Sequence, residues 1–393
     1  MNLNYKKSIL ISTWTYPPQR NGVSHVAHAH AIGLAKLGHD VTVVTSCDPA
    51  RENDDDNVKI VQFDIKGRWA PRKMFKPFSG DISGYRNFIR DFSGDIIFFH
   101  TCTVWNTDSV LDILPNLSPK TVLVSHGVSF KSGSFLSRLG WKPYVWRLYN
   151  IYNTFDHVVF LSKKSDQDRF LDKYIMEKRG FQRWSVIPNG ASPEIFQTDL
   201  PDFKNVYRIT PQQKILLYVA AYSPQKNQKM ALNAFLKNGR SDTILVFIGN
   251  KLNDYVKILK KKFNSSNNGK ERILYLAGLK REMINAAYMS ADIFLHPSKT
   301  EVQPLVVLDA MASGTPFIST DVGCIDELPG AIVVKSEEDM SKQINNLLDH
   351  ENKYAQHKEA GLSACSQIYN WENICFKYNL LIGGLCGNID SIA

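Results

Sequence analysis

Long apolar runs are missing from this sequence of 393 residues. No segment approaches the roughly 18 consecutive apolar residues of a membrane-spanning helix. The apolar run at residues 9–11 is too short for the core of a signal peptide. We therefore expect a cytoplasmic protein that is soluble or that binds peripherally at the inner face of the cell membrane.

Cysteine is also scarce, with six residues in the chain. None of them forms a C-x-x-C pair or joins a histidine at the spacing of a zinc site. The sequence therefore predicts neither a disulfide framework nor a structural zinc site. We expect the thiols to be small, buried side chains in a reducing compartment.

Acidic residues are fewer than basic ones, because 38 Asp and Glu stand against 47 Lys and Arg and leave a net charge of +9. This balance favours anionic partners such as phosphate-bearing ligands, acidic membranes or nucleic acid, without choosing among them. The hydrophobic content of 44% is sufficient for two cores. At roughly 100–200 residues per domain, the length also predicts two domains.

Short apolar runs alternate with amphipathic segments along the whole chain. Several of these runs are apolar throughout, as in parallel strands that are covered on both faces. Strands are predicted at residues 8–12, 41–45, 58–63, 95–100, 121–125, 157–161 and 184–187, and again at 214–220, 243–248, 273–276, 292–296, 316–319 and 331–334. The alternation predicts an α/β protein with two doubly wound, Rossmann-like domains.

Turn residues and a polar stretch after the strand at 184–187 indicate the domain boundary. We predict an N-terminal domain at residues 1–197, a C-terminal domain at 198–370, and a segment at 371–393 that forms a helix on the N-terminal domain. Ligands of open α/β sheets bind beyond the carboxyl ends of the strands. Two such domains facing each other across a cleft would place the functional residues in that cleft.

The most informative segment, residues 301–316, reads EVQPLVVLDAMASGTP and follows a predicted strand. Pro304 suits the first turn of a helix. The backbone amides of Gln303, Leu305 and Val306 would then lie near a helix N-terminus. There the helix dipole and the free N–H groups stabilise a diphosphate.

Two acids lie in the same segment, Glu301 before the predicted helix and Asp309 within it. Carboxylates at these positions suit the recognition of a sugar or a ribose, because a carboxylate accepts hydrogen bonds from neighbouring hydroxyl groups. The pattern alone is equally compatible with an ordinary amphipathic helix that bears a solvated acid.

The segment resembles the E-x7-E signature of the family-four retaining glycosyltransferases, with Asp309 at the second acid. The following residues, LVVLDAMASGTP and then TDVG, are also similar to that family. The resemblance implies the GT-B fold, in which the first acid contacts hydroxyl groups of the donor sugar and the second binds the ribose. It gives these roles to Glu301 and Asp309, and it places Thr315 near the phosphates.

A second motif, VAAYSPQKN at residues 219–227, lies at a predicted strand-to-helix turn. Lys226 would be a cation able to neutralise a diphosphate leaving group, although most lysines of this kind are simply solvated. The family reads VGRLxxxKN here, so Lys226 and Asn227 match, whereas Ala221 replaces the arginine. One phosphate-binding cation is therefore absent from its expected place.

Two further turns resemble the family. After the first strand, Gly22 would let the backbone approach a phosphate or a sugar closely, and Asn21 stands where the family has another glycine. After the strand at 273–276, Leu279 follows Gly278 at a position whose backbone reads the nucleotide base in the family.

Three histidines, His100, His126 and His296, lie at or near predicted strand ends. A lone histidine in such a place is more often structural than catalytic. In the family, a histidine at the position of His126 reaches the donor sugar. We therefore predict a catalytic role for His126, together with Glu301 and Lys226, and structural roles for His100 and His296.

These resemblances imply a retaining glycosyltransferase that moves a hexosyl group from a UDP- or GDP-sugar to a glycan or lipid-linked acceptor, in surface polysaccharide synthesis. The N-terminal domain would bind the acceptor and the C-terminal domain the donor. The GT-B plan uses a helix N-terminus and a cation where other transferases use a metal, so we predict no metal and no cofactor. Two other classes stay open: a nucleotide-sugar epimerase on the same fold, and a non-catalytic nucleotide- or glycan-binding relative, which the missing arginine motivates.

Two segments combine basic and aromatic residues. The first begins at Lys66 and ends at Arg90, and the second begins at Lys131 and ends at Phe155. Such a combination suits contact with an anionic membrane, but the aromatic side chains could equally belong to a core whose charged face is solvated. No nucleic-acid recognition motif accompanies these segments, so we predict no nucleic-acid partner.

Overall fold

A computed structural model describes residues 5–51, 54–68, 77–128, 135–196, 199–266 and 273–387. Contacts divide the chain into two compact units. The first unit is Met1–Asn189 together with Trp371–Ala393, and the second is Gly190–Asn370. The division lies closer to the N-terminus than the predicted boundary at 197/198, and the chain returns to the first unit at Trp371.

The first unit is built on a mostly parallel sheet, in which only the described pairing of β3 with β4 is antiparallel, with helices between its strands. The strands in chain order are β1 (Ser8–Ser12), β2 (Asp40–Ser46), β3 (Asp54–Asp55), β4 (Val58–Phe63), β5 (Ile65–Gly67), β6 (Phe78–Gly80), β7 (Ile96–His100), β8 (Lys120–Val124), β9 (His157–Phe160) and β10 (Trp184–Val186). The sheet order is β10-β9-β8-β7-β1-β2-β4-β3, while β5 and β6 pair separately. The helices are α1 (Gly22–Lys36), α2 (Ile82–Asp91), α3 (Trp105–Asp108), α4 (Phe135–Asn153) and α5 (Leu171–Lys178).

The second unit contains a sheet whose described pairings are all parallel. Its strands are β11 (Lys214–Val219), β12 (Thr243–Gly249), β13 (Ile273–Ala277), β14 (Ile293–His296), β15 (Phe317–Thr320) and β16 (Ile332–Val334). Their order, β13-β12-β11-β14-β15-β16, is that of a Rossmann fold. The helices are α6 (Phe203–Val206), α7 (Gln228–Lys237), α8 (Asp254–Ser266), α9 (Arg281–Ser290), α10 (Leu305–Ala312), α11 (Glu337–Asp349) and α12 (Glu351–Gln367).

One more helix, α13 (Trp371–Leu385), belongs to the first unit and packs on α1. Its buried side chains Ile374, Tyr378 and Ile382 recur every four residues and therefore form one face. That face joins the core on one side of the first sheet. Among the described residues, no helix combines the length and the apolar character that crossing a membrane requires.

The first sheet is covered on both faces, as its apolar strands predict. Successive residues of β1 enter opposite cores, with Ile9 and Ile11 on the side of α1 and α13 and Leu10 on the side of α4. The predicted α/β class with two doubly wound domains is confirmed. The sequence does not predict β3, β5 and β6, because these two- and three-residue strands lack an apolar run of the kind that marks β10 and β16.

The closest approach of α1 to α13 occurs at Gly33. A Cβ atom added there would lie 2.2 Å from the sulfur of the buried Cys375 on α13. We expect Gly33→Ala to lower the free energy of unfolding by about 1–3 kcal/mol, because overpacking forces side chains or backbone to shift. Differential scanning calorimetry would record the lower Tm.

Gly384→Ala is the matched control, because the added Cβ on α13 would meet no described atom within 4 Å. Alanine is the better helix former, so this variant should be as stable as the wild type or slightly more stable. Equal Tm values for Gly33→Ala and the wild type would contradict tight α1–α13 packing.

Candidate functional site

The point where the strand order of the second sheet reverses lies between β11 and β14. Ligands of doubly wound sheets bind at the carboxyl ends of such strands. Lys226 lies in the turn that follows β11, and Glu301 lies in the loop that follows β14. Because β11 and β14 are parallel neighbours, both loops leave the same edge of the sheet.

An ion pair joins these two residues, with Lys226 Nζ 2.5 Å from Glu301 Oε1. The side chains retain 29% and 15% of their exposure, respectively. The buried His296 places its Nε2 3.5 Å from the same carboxylate oxygen. Burial raises the pKa of the Glu301 carboxyl, but His296 and Lys226 lower it more, to about 2. The carboxylate is therefore ionised at any physiological pH.

The backbone around the pair is held by hydrogen bonds between the two loops. The buried Tyr218 on β11 donates its hydroxyl hydrogen to the carbonyl of Lys226. The amide of Lys299, which follows β14, donates to the carbonyl of Gln225 at 2.9 Å. These contacts fix the two loops relative to each other before any ligand arrives.

Gly323 lies behind the Glu301 loop with a φ of 53°, in the left-handed region. A Cβ atom on it would lie 2.1 Å from the carbonyl oxygen of Val302. The next amide, that of Cys324, donates to the same carbonyl at 2.9 Å. Only glycine permits this approach, which explains the TDVG sequence that follows β15.

Helix α10 begins beside Glu301. Pro304 is its N-cap and Leu305 its first residue, so the proline lies one position earlier than a first-turn proline. Proline has no polar side-chain atom to cap the helix, and the first amides of a helix lack intrahelical acceptors. The amides of Leu305 and Val306 are thus available to an anion, and the mostly buried Gln303 precedes them.

Asp309 lies on α10 and is paired with Arg281, the first residue of α9. Arg281 Nη2 is 2.9 Å from Asp309 Oδ2. The carboxylate is mostly buried, whereas the guanidinium is partly exposed. Burial lowers the pKa of Arg281, but Asp309 raises it more. This partner is not predicted from the sequence, because a basic residue at a helix start has no distinguishing pattern.

Three other positions of the second unit that were compared with the family, Ala221, Leu279 and Thr315, are not part of the ion pair. Ala221 is exposed in the turn after β11 and offers no cation. Leu279 follows Gly278 in the turn after β13. Thr315 is buried before β15, at the amino end of that strand, and donates its hydroxyl hydrogen to the carbonyl of Tyr288 at 2.8 Å. The structure therefore does not bring Thr315 together with Lys226 and Glu301.

His126 belongs to the first unit, where it follows β8. Its Nε2 lies 3.0 Å from Nδ1 of His100, the last residue of the neighbouring strand β7. Burial lowers the pKa of His126 to about 4, so this ring is neutral at physiological pH. The sequence analysis placed both histidines at strand ends but did not predict their contact.

The chain beyond His100 is strained. Thr101 and Thr103 have φ values of 71° and 70°. A β-branched residue in this region is a clear outlier that costs about 1–3 kcal/mol. The buried Asn106 opposes this strain by donating from Nδ2 to the carbonyls of Ser12 and His100, each at 3.1 Å. Backbone strain of this kind is typical of functional sites.

Gly22 is the first residue of α1 and is exposed at the same edge of the first sheet. Asn21, which replaces the family's other glycine, caps the helix by accepting from the amide of Ser24 at 3.0 Å. Asn21 also donates to the hydroxyl of Thr15 at 2.8 Å. The asparagine thus occupies one of the free amides that a second glycine would leave open.

Two family profiles match the chain. The profile described as Glycosyl transferases group 1 matches residues 200–363. The profile described as Glycosyltransferase Family 4 matches residues 20–195. The chain belongs to the group 1 glycosyltransferases. Its two Rossmann-like units therefore form a GT-B fold, as the sequence predicted.

Individual relatives are distant. The lipopolysaccharide glucosyltransferase WaaG of Escherichia coli K12 is 26% identical over 198 residues, which are 46% of this chain and about half, 51%, of the relative. The structure of sucrose-phosphate synthase of Thermosynechococcus elongatus superposes with a TM-score of 0.78 and 16% sequence identity. The superposition covers 98% of this chain and 100% of the synthase chain. HepE of Anabaena, solved with UDP and glucose, is 16% identical, covers 96% and 99%, and has a TM-score of 0.72. The two solved structures share the fold.

The lowered pKa of Glu301 predicts a pH-dependent contribution to stability. Folding favours the ionised form, so the contribution is fully present above about pH 4.5, the ordinary value, and is lost as the pH falls towards 2. We expect Glu301→Gln to reduce the free energy of unfolding by at most about 3 kcal/mol at pH 7. Urea denaturation should show this difference shrinking below about pH 4.5.

Glu359→Gln on α12 serves as the control, because it removes the same carboxylate from an exposed position of the same unit. A Glu301→Gln difference that does not change with pH would rule out an ionised, stabilising Glu301.

Proposed function

We propose that this protein is a retaining glycosyltransferase that moves a hexosyl group from a UDP- or GDP-sugar to a glycan or lipid-linked acceptor. The observation that carries the proposal is the Lys226–Glu301 ion pair beside the uncapped N-terminus of α10. A nucleotide diphosphate sugar carries an anionic diphosphate and several hydroxyl groups, and it would bring both to the ion pair and the start of α10. Its recognition needs a cation, free amides and a carboxylate together.

Donor binding exchanges the ion pair for two new contacts. Lys226 turns to the diphosphate, where the amides of Gln303, Leu305 and Val306 share the negative charge. Glu301 accepts hydrogen bonds from hydroxyl groups of the donor sugar. The partly buried surroundings favour this exchange only for a ligand that pairs both charges, because a lone charge left there would be costly.

The remaining predicted residues complete the donor site in this proposal. Asp309 binds the ribose while Arg281 keeps its carboxylate oriented, and the backbone at Leu279 reads the base. His126 contacts the donor sugar. The family resemblance implies that the backbone at Gly22 approaches a sugar or a phosphate. It also implies that Thr315 lies near the phosphates. Thr315 is buried, and its hydroxyl already donates to the carbonyl of Tyr288.

Transfer proceeds on one face of the sugar. The bond from the anomeric carbon to the diphosphate oxygen breaks as the acceptor oxygen bonds to that carbon from the same side. The acceptor proton passes to the departing phosphate oxygen, so configuration is retained without a protein nucleophile. Lys226 and the α10 amides stabilise the charge on the leaving group, which is the task of a metal in other transferases. We therefore propose that the reaction needs no metal.

The acceptor is proposed to be a surface glycan or its lipid-linked precursor, bound by the first unit on the cytoplasmic side of the membrane. The name of the relative from Escherichia coli, a lipopolysaccharide glucosyltransferase, supports this class of acceptor. The net charge of +9 also suits a phosphate-bearing acceptor.

Donor binding can be tested by thermal unfolding with UDP-, GDP- and ADP-sugars in the presence of EDTA. We expect one base class to raise the Tm, because a ligand at one hundred times its Kd adds about 2.7 kcal/mol of stability. Lys226→Met should remove most of that shift. Lys229→Met replaces an exposed lysine three residues further on, in α7, and should respond as the wild type does. Folded protein that responds to no donor would refute the donor site.

With the donor known, proton NMR of the product would give its anomeric configuration. Inversion would refute the same-face mechanism, and isomerised donor formed without acceptor would indicate an epimerase. Binding without turnover would indicate a non-catalytic relative, which the loss of a cation at Ala221 specifically favours.

We also propose that α4, within the basic and aromatic segment at 131–155, contacts an anionic membrane peripherally. Trp146 is 73% exposed. Leu139 is also exposed and lies two helical turns earlier on the same face, beside the exposed Lys142 and Arg147. Other aromatic residues of the segment, such as Tyr152, are buried in the core.

The other basic segment, at residues 66–90, supports membrane contact less. Residues 69–76 lie outside the described part of the chain. Arg86 is paired with Asp112 at 2.7 Å, and Lys66 is 3.5 Å from Asp64. The membrane proposal therefore depends on α4.

Sedimentation with phosphatidylglycerol-containing vesicles tests the contact. We expect Lys142→Glu to weaken binding at least fivefold, since each basic residue near an anionic surface contributes about 1 kcal/mol. Lys257→Glu, on the exposed face of α8, is the control. Equal binding to neutral and anionic vesicles, or equal loss in both variants, would contradict the proposal.

A further inference from the structure

His100 leaves His126 a single ring nitrogen for a ligand. The hydrogen bond of 3.0 Å joins Nδ1 of the fully buried His100 to Nε2 of His126. A neutral imidazole has one nitrogen that donates and one that accepts, so this bond decides which role is left to Nδ1 of His126.

The backbone of His100 cannot move away from this contact. Hydrogen bonds to β1 and β8 hold the strand β7 on both sides. The buried side-chain amide of Asn106 binds the carbonyl of His100 and also that of Ser12. The backbone from which the ring of His100 extends is therefore held in place.

His126 is held by a separate set of bonds. Ser125, just before it, donates to the buried carboxylate of Asp172 at 2.5 Å. The hydroxyl of Ser125 accepts from the amide of Gly127, just after it, at 3.2 Å. Both imidazoles are thus positioned by their own networks before a ligand binds.

The surroundings of His100 indicate which ring donates. Nε2 of His100 is buried and has no hydrogen-bond partner among the described residues. The neighbouring ring, that of His30, lies 5.2 Å away between centroids, and its Nε2 is equally unpartnered. If Nε2 of His126 were the donor, Nδ1 of His100 would accept, and His100 would carry its hydrogen on Nε2. That N–H would be buried without a described partner, and buried N–H groups without a partner are rare and costly in native proteins.

We infer that His100 is a positioning residue that donates from Nδ1 and holds His126 as the neutral tautomer with its hydrogen on Nδ1. His126 then offers a hydrogen-bond donor to an oxygen of its ligand. The inference rests on the proposed function, in which that ligand is the donor sugar. A neutral N–H recognises a hydroxyl oxygen of the sugar.

Nitrogen-15 NMR of histidine-labelled full-length protein tests the tautomer without any substrate, with His126→Asn to assign the signals. In the wild type and in His100→Asn, whose side-chain amide can still donate, Nδ1 of His126 should be protonated. In His100→Asp, which can only accept, the hydrogen should move to Nε2 or both nitrogens should be protonated. His157→Asn is the control, because His157 bonds Ser185 rather than His126.

Kinetics with the identified donor provide the second readout. We expect His100→Asp to lower kcat/KM about 10- to 100-fold, as losses of ligand-orienting partners do, and His100→Asn and His157→Asn to stay within about threefold of the wild type. Wild-type His126 with its hydrogen on Nε2, or unchanged kcat/KM in His100→Asp, would overturn the inference. The Nδ1–H tautomer in a protein that binds no donor would refute the proposed function instead. If His100→Asp does not fold, the spectra of the wild type and His100→Asn decide.

Discussion

Parallel strand pairing at the point of reversal in each sheet is the constraint on which the placement of the candidate residues depends. The pairing of β11 with β14, and of β7 with β1 and β8, forces the loops after these strands to leave one edge of each sheet. Residues distant in sequence, such as Lys226 and Glu301, are thereby brought within contact distance. Backbone hydrogen bonds in the sheet thus determine which side chains can meet.

Charge matching follows from this placement. Each of the two acids of the E-x7-D segment has a cation: Glu301 has Lys226, and Asp309 has Arg281. In a partly buried site neither acid could stay ionised at low cost without such a partner. The site is therefore rigid and nearly neutral when empty. In the proposed function the donor replaces the Lys226–Glu301 contact rather than filling a vacant charged pocket, and this exchange favours ligands that carry both an anion and hydroxyl groups.

Most of the fold could be predicted from the sequence, whereas the site could be predicted only in part. Apolar runs located the long strands, and strand ends located Lys226, Glu301 and His126. The Arg281–Asp309 and His100–His126 contacts depend on the direction of side chains across neighbouring elements, which no periodicity encodes. The resemblance places Thr315 near the phosphates, but it transfers a position in the chain and not the rotamer of the hydroxyl, which here donates to the carbonyl of Tyr288.

The packing of α13 on α1 makes the first unit discontinuous in sequence, while the second is continuous from Gly190 to Asn370. During synthesis, chains emerge from the N-terminus, and domains fold as units. The face of α1 that packs on α13, around Ala29 and Gly33, therefore lacks this partner until the whole of the second unit has been synthesised. The second unit can thus complete its core first, and the nascent first unit must remain protected from aggregation for the time needed to translate it.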